Sequence, residues 1–284
     1  MRRLHAAGAA ITLGVVVGAA CANEGERPPP PVCTGECGRP PQVGTGFPSN
    51  GGAGSEDEAD GGAAATDTVS LTGQVQLLFD NGRFDTGEIF TDAAEVRTTR
   101  ADGKAVTSAW NGVDPYLLQS LPAEDTVWLL VTPPNGQAND AVPTFEPVVT
   151  THPDAAGRVN ADLGLVRDST LDGIFSTLSL PLQRDERLAQ VVLKLVERSG
   201  GSGLTPVVGV SVHADAAADV SYAVSGGYSD VATETDATGV AVVLNVAAAK
   251  WPGALVSVQF SGRKTGGAQV RAVTGAVSLV TLVL

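Results

Sequence analysis

Residues 233–246 read TETDATGVAVVLNV, and this stretch limits the possible folds more than any other. Asp236-Ala237-Thr238-Gly239 is turn chemistry, because Asp bonds nearby backbone and Gly accepts positive φ. After it, Val240, Val242, Leu244 and Val246 fall on one face at period two, and Ala241, Val243 and Asn245 on the other. The pattern predicts a β-hairpin with one strongly apolar face. The same order occurs earlier in the chain. Asn111-Gly112-Val113 precedes an apolar run at 116–121, then Pro122, then a second run at 127–131. Thr238-Gly239-Val240 precedes 241–246, then Trp251-Pro252-Gly253, then 255–260. Matching order at similar spacing reads as an internal duplication, hence two copies of one β domain.

The remaining strand signals agree. In the first copy, residues 69–167, short alternating segments stand at 71–79, 94–99, 106–110, 116–121, 127–131, 145–150 and 158–166. In 94–99, Ala94, Val96 and Thr98 face one way and Glu95, Arg97 and Thr99 the other. Asn111-Gly112 is read as a hairpin turn. Residues 168–185 break the pattern. Leu171, Ile174, Phe175 and Leu178 share one helical face, Ser169 and Asp172 have capping-box spacing, and Pro181 ends the run. An amphipathic helix packing on one or both domains is expected. The second copy, residues 186–284, has strands at 191–196, 208–214, 240–246, 255–260, 269–273 and 276–284, with Val208, Val210 and Val212 inward and Ser211 and His213 outward. The expected fold is all-β: two Greek-key-type β-sandwich domains in tandem, joined by a short helix.

Upstream, Met1-Arg2-Arg3 followed by an apolar run to Ala20 has the form of a signal peptide, residues 1–20, too short to remain as a membrane span. The run ends Val17-Gly18-Ala19-Ala20-Cys21, which resembles the lipobox of bacterial lipoproteins. Gly18 departs from the family's branched residue at that position. The resemblance implies lipidation of Cys21 and, with Ala22 rather than Asp following, an outer-membrane anchor on the periplasmic or surface side. Ala20-Cys21-Ala22 also fits ordinary cleavage, which would release a secreted protein beginning at Asn23. Residues 21–68 are rich in Pro and Gly, with an acidic block at 55–60, and read as a disordered tether. Cys33 and Cys37 suit a small disulfide in an oxidising compartment; half a zinc shell or two free thiols are the alternatives.

Each copy resembles the carboxypeptidase regulatory-like (transthyretin- or prealbumin-like) β-sandwich repeat. In the second copy the resemblance rests on Pro206-Val207-Val208-Gly209-Val210, Thr235-Asp236-Ala237-Thr238-Gly239 and Trp251-Pro252-Gly253. In the first it rests on Ala93-Ala94-Glu95-Val96, Asn111-Gly112-Val113 and Leu121-Pro122-Ala123, without the Thr-Asp pair. It implies a fold and says little about function.

Signals for chemistry are sparse. The sequence has three His and none of the spacings H-E-x-x-H, G-x-S-x-G or the P-loop, so no enzyme and no cofactor is expected. A formal charge of −13 disfavours nucleic acid. Asp80, Asn81, Asp85 and Glu88 form the best set of oxygen ligands and are a calcium candidate, set against a plain Asx turn. Trp110 and Tyr116 flank the Asn111-Gly112 turn and are a candidate sugar-stacking platform, set against packing in the sandwich. Trp128 and Trp251 read as core or loop packing. The expected function is a non-catalytic, lipid-anchored envelope protein displaying two sandwiches for binding or structural roles. The partners are the membrane and a glycan or protein at the cell surface. A secreted carbohydrate-binding protein and a subunit of a larger surface assembly are the alternatives.

Overall fold

The structure is a computed structural model. It describes residues 68–284 except 101, 135–139, 180–181, 201–202, 216, 218 and 226. The expected signal peptide, the expected tether up to residue 67, and Cys21, Cys33 and Cys37 lie outside the described residues.

The first half comprises β1 (Thr68–Gly73), β2 (Val75–Leu78), β3 (Gly87–Ile89), β4 (Ala94–Thr99), β5 (Ala105–Trp110), β6 (Tyr116–Pro122), β7 (Thr126–Thr132), β8 (Ala141–Val142), β9 (Thr144–Val149), β10 (Arg158–Asn160) and β11 (Leu163–Arg167). The helix α1 (Asp168–Ser176) follows. The second half comprises β12 (Ala189–Arg198), β13 (Leu204–Pro206), β14 (Val210–Ala214), β15 (Asp219–Val224), β16 (Gly227–Ser229), β17 (Val240–Val246), β18 (Ala254–Gly262), β19 (Gly266–Ala272) and β20 (Val277–Val283).

Both halves are β-sandwiches, and they share one pairing scheme. The opening strand lies parallel to the closing strand: β1 to β10, β2 to β11, and β12 to β20. On its other side the opening strand is antiparallel to the strand after the glycine turn, β6 or β17. The facing layer is β4-β7-β9 in the first half and β14-β18-β19 in the second, antiparallel throughout. Inward residues at period two fill each sandwich. Val96, Leu118, Leu129 and Leu165 belong to the first core, and Val191, Leu193, Val243 and Val258 to the second.

The two glycine turns are not hairpins. β5 pairs with β4 in one layer, whereas β6 pairs with β1 in the other. Residues 233–235 lie along β14, with Gly209 and Val210 exchanging backbone bonds with Thr235, whereas β17 pairs with β12 and β15. Each turn therefore carries the chain from one sheet to the other. A crossing turn asks for the same residue as a hairpin: Gly112 has φ +86 and Gly239 has φ +68. A Cβ would lie 2.0 Å from the Thr91 carbonyl oxygen at Gly112 and 2.6 Å from that of Leu195 at Gly239.

β17 also departs from the expected single apolar face, because all seven of its residues are buried. Ala241, Val243 and Val246 face the second core, while Val240, Val242 and Leu244 face the contact with the first half. Asn245, at φ +50, lets the strand bulge so that Val246 turns inward. Its polar groups are satisfied: its amide bonds Gln190 Oε1 at 2.8 Å, and its side chain donates to the Gln183 carbonyl at 2.9 Å. Val208 is 43% exposed, and Val207 is buried in its place. Gly209, at φ +77, breaks the alternation just before β14. His213 is exposed as expected.

α1 packs on both halves. Leu171 and Ile174 join a cluster with Leu78, Phe84 and Val166 from the first half and Val192, Tyr228 and Val242 from the second. Its N-terminus departs from the expected capping box. Arg167 is the N-cap residue and makes no side-chain cap bond. Asp140 instead accepts from the Ser169 amide at 2.8 Å and the Ser169 hydroxyl at 2.7 Å. The helix ends at Ser176, where the Thr177 amide and hydroxyl turn back onto the Ile174 carbonyl.

Candidate aromatic and arginine cleft at the joint

The joint is built from hydrogen bonds as well as packing. β20 pairs in parallel with β9 through Val277↔Thr144 and Ser278↔Phe145. One sheet thus runs β16-β15-β17-β12-β20-β9-β7-β4-β5 through both halves. Besides the cluster around α1, a second apolar cluster gathers Leu130 and Phe145 from the first half with Val273 and Ala276 from the second.

Trp128 and Trp251 pack at the margin of this second cluster. Trp128 stands 5.0 Å from Phe145 between ring centres, and Phe145 meets Trp251 edge-on at 5.6 Å. Alternation explains the placement. Leu129 and Val131 point into the first core, so Trp128 and Leu130 must point out of it. The 251–253 segment of the second half reaches this outer face, leaving a cleft of ≈ 230 Å³ lined by Trp128, Trp251, Pro252, Arg100, Arg271 and Asp125 among others. The guanidinium of Arg97 lies 5.9 Å from the centre of the Trp251 ring, within cation–π range.

The electrostatics of this cleft are unusual for so acidic a chain. Arg97, Arg100 and Arg271 each have a buried Nε without a hydrogen-bond partner. A buried, unpaired donor typically costs ~1–3 kcal/mol. Among the described residues, none of the three pairs with a carboxylate within 4.0 Å. One Arg271 nitrogen donates to the Pro252 carbonyl at 3.4 Å. The Asp125 carboxylate at the rim accepts from the Thr126 amide at 2.6 Å.

A second polar contact ties the halves together on the α1 side. Lys194 of β12 donates through Nζ to the Phe84 carbonyl. Glu146 of β9 accepts from the Gly164 amide at 2.9 Å. Burial pushes the Glu146 carboxyl up to about 7, against the opposing pull of the Gly164 bond and the Lys194 charge. Burial likewise pushes Lys194 down, opposed by the charges of Glu146 and Asp85.

The sites read from the sequence fare differently. Trp110 and Tyr116 are 1% and 0% exposed. The Trp110 Nε1 donates to the Phe90 carbonyl at 2.7 Å, and the Tyr116 hydroxyl donates to the Ala161 carbonyl at 2.5 Å. Their rings belong to the first core and offer no face to a sugar. The expected calcium ligands do not converge either. Asp85 accepts from the Asn81 side chain at 2.7 Å, and the Asn81 oxygen is occupied by the amides of Arg83 and Phe84. Glu88 pairs with Arg167 at 2.5 Å. Asp80 faces Tyr228, whose phenol is pushed up by burial and then by the Asp80 charge. Among the described residues, no three His, Cys, Asp or Glu side chains gather as a metal site. The segment is an Asx turn whose Phe84 anchors the joint.

The cleft residues themselves were not read as a site from the sequence. The available signals were the outward register of Arg97 on 94–99 and the outward register of Trp128 beside Leu130.

No family model and no curated protein sequence matches the chain. Among solved structures it is similar to a streptococcal ancillary pilin at 13% identity, over 76% of this chain and 68% of that one, with a TM-score of 0.22. It is also similar to a fimbrial protein from Bacteroides ovatus at 9% identity, over 76% and 49%, TM-score 0.21. A leucine-rich repeat protein from Bacteroides thetaiotaomicron matches at 11% identity, over 77% and 26%, TM-score 0.20. At such scores the likenesses decide neither fold nor function for this chain. No described helix is long and apolar enough to cross a membrane.

Proposed function

We propose that this chain is a non-catalytic cell-envelope protein, anchored through a lipidated Cys21. It would carry two sandwich modules, residues 69–167 and 186–284, joined through 168–185 and acting as one stiff unit in a binding or structural role. The observation that supports the reading best is the continuous sheet across the joint, β20 on β9, clamped by apolar clusters on both sides. A shared sheet resists hinge motion and keeps loops of both modules at fixed separation, which suits display more than a catalytic cycle of opening and closing. The leader ending in Ala19-Ala20-Cys21 supports the anchor. Cys33 and Cys37 would close a small disulfide loop in the exported tether.

The test is the mass of the mature N-terminal peptide from a membrane fraction. A di- or triacylated Cys21 is the expected result. An unmodified peptide beginning at Asn23 would overturn the anchor and make the protein secreted. Turnover of a substrate by the purified chain would sink the non-catalytic reading.

A further inference from the structure

The cleft at the joint has the makings of a ligand site that the core tryptophan and tyrosine lack. Two indoles, Trp128 and Trp251, line it and remain partly open to solvent. Two arginines, Arg100 and Arg271, line it as well; among the described residues neither has a carboxylate oxygen within 4.0 Å, although the Asp102 charge acts on Arg100 from farther off and Asp125 shares the lining. Arg97 stands over Trp251 and positions the ring. All three arginines hold a buried Nε–H with no acceptor, although the chain carries 31 acidic residues against 18 basic ones. Guanidinium groups gathered at one place with no carboxylate in contact can take an acceptor from outside through their terminal nitrogens.

We propose that this cleft binds a carboxylated sugar, a uronic-acid residue of an acidic glycan, with its ring against the indoles and its carboxylate on Arg100 and Arg271. The inference rests on the reading of this chain as a surface protein that binds, and it names what is bound. The arginines alone would suit any small oxyanion. The indoles select a ligand with a flat, partly apolar body, since a pyranose presents C–H groups on its faces and a phosphate presents none. Thr99 and Thr126 also line the cleft, and threonine hydroxyls can bond a sugar's hydroxyls. The volume of ≈ 230 Å³ falls below the ~300–1,000 Å³ typical of drug-sized sites, so it accommodates a single ring, with the rest of the glycan running out over the surface. Trp251 and Arg271 come from the second half and Trp128 and Arg100 from the first, so the site exists only while the joint is closed.

The experiment is calorimetric titration of the full chain with tri-galacturonate, with tryptophan fluorescence as a second readout. Methyl-esterified tri-galacturonate and inorganic phosphate serve as comparison probes. Tri-galacturonate is expected to bind and to perturb the fluorescence. The ester, and separately the Arg100→Gln and Arg271→Gln variants, should weaken binding by about tenfold or more, the loss expected for a charge-assisted pair. Arg271 also bonds the Pro252 carbonyl, so Arg100→Gln is the variant that leaves the 251–253 segment untouched. Equal binding of the ester, phosphate binding as tightly at the same site, or no binding of tri-galacturonate would each overturn the proposal. Protease accessibility of the chain on intact cells tests surface display separately. A chain displayed on the surface that ignores tri-galacturonate would lose this ligand and keep the surface reading.

Discussion

The two halves follow one strand order and differ in what precedes the crossing turn. In the first, a full strand, β5, occupies the edge of the β4-β7-β9 layer before Asn111-Gly112 carries the chain across. In the second, only 233–235 touches the equivalent strand β14, and the extra length goes into β15 and β16 on the opposite sheet. That addition widens the β12-β17-β20 sheet and gives it an apolar outer face. Ala223 and Tyr228 lie on this face beside Val240 and Val242, against α1 and Phe84. The lesson is that two halves with one pairing scheme form a clamped pair through a difference in one edge strand. The sandwich core and the crossing turn are common to both.

The largest test of this comparison is at Phe84, which is buried at the joint and reaches it from an otherwise polar turn. Phe84→Ala should cost ~3–5 kcal/mol and should split a single urea transition into two, as the halves lose their coupling. A single, unshifted transition would show that the clamp lies elsewhere. The crossing turns come next. Gly112→Ala and Gly239→Ala should each lower stability by ~2–4 kcal/mol, with Gly112→Ala the worse because its Cβ would come closer to a carbonyl oxygen. Equal, small losses would mean that the turns can relax.

Thr235 separates the halves chemically. Its hydroxyl donates to the Val207 carbonyl at 2.7 Å and accepts from the Val210 amide at 3.2 Å. The first half has no Thr-Asp pair before its turn. Thr235→Val should therefore cost ~1–3 kcal/mol, read by thermal unfolding, and should weaken the second half selectively.

The most conditional effect, present only at the high end of a pH window, is at Glu146. Its folded pKa is raised from the ordinary 4.5 to about 7, so its stability contribution is fully present below 4.5 and is lost as pH rises through about 7. Glu146→Gln keeps an acceptor for the Gly164 amide and removes the titration. The variant should match the parent near the low end of this window and exceed it by ~1–3 kcal/mol above the high end, in urea melts across pH. Parallel pH profiles would show that Glu146 does not carry the dependence.

Much of the fold was legible along the chain. Alternation in 94–99 placed Arg97 outward, and the repeated order around Gly112 and Gly239 marked equivalent turns. The amphipathic spacing of Leu171 and Ile174 found the helix. The readings that failed share a cause: local chemistry does not name its partner. A Gly turn between two strands looks the same whether they pair or cross, which is why both hairpins were expected and neither formed. Trp110 and Tyr116 beside a turn look like a platform until their polar ends are seen to bond the Phe90 and Ala161 carbonyls. Asp85 and Glu88 look like calcium ligands until Asn81 and Arg167 take them.

The sequence by itself determined the all-β class, the positions of the turns and the alternation of strands such as 94–99, because period-two burial and the backbone freedom of glycine act within a few residues. Only the tertiary structure decided that β17 is buried on both faces, that β20 extends the first half's sheet through β9, and that Trp128, Trp251, Arg100 and Arg271 meet at one cleft. Those outcomes join residues more than a hundred positions apart, and whether such surfaces meet depends on packing that no local pattern encodes.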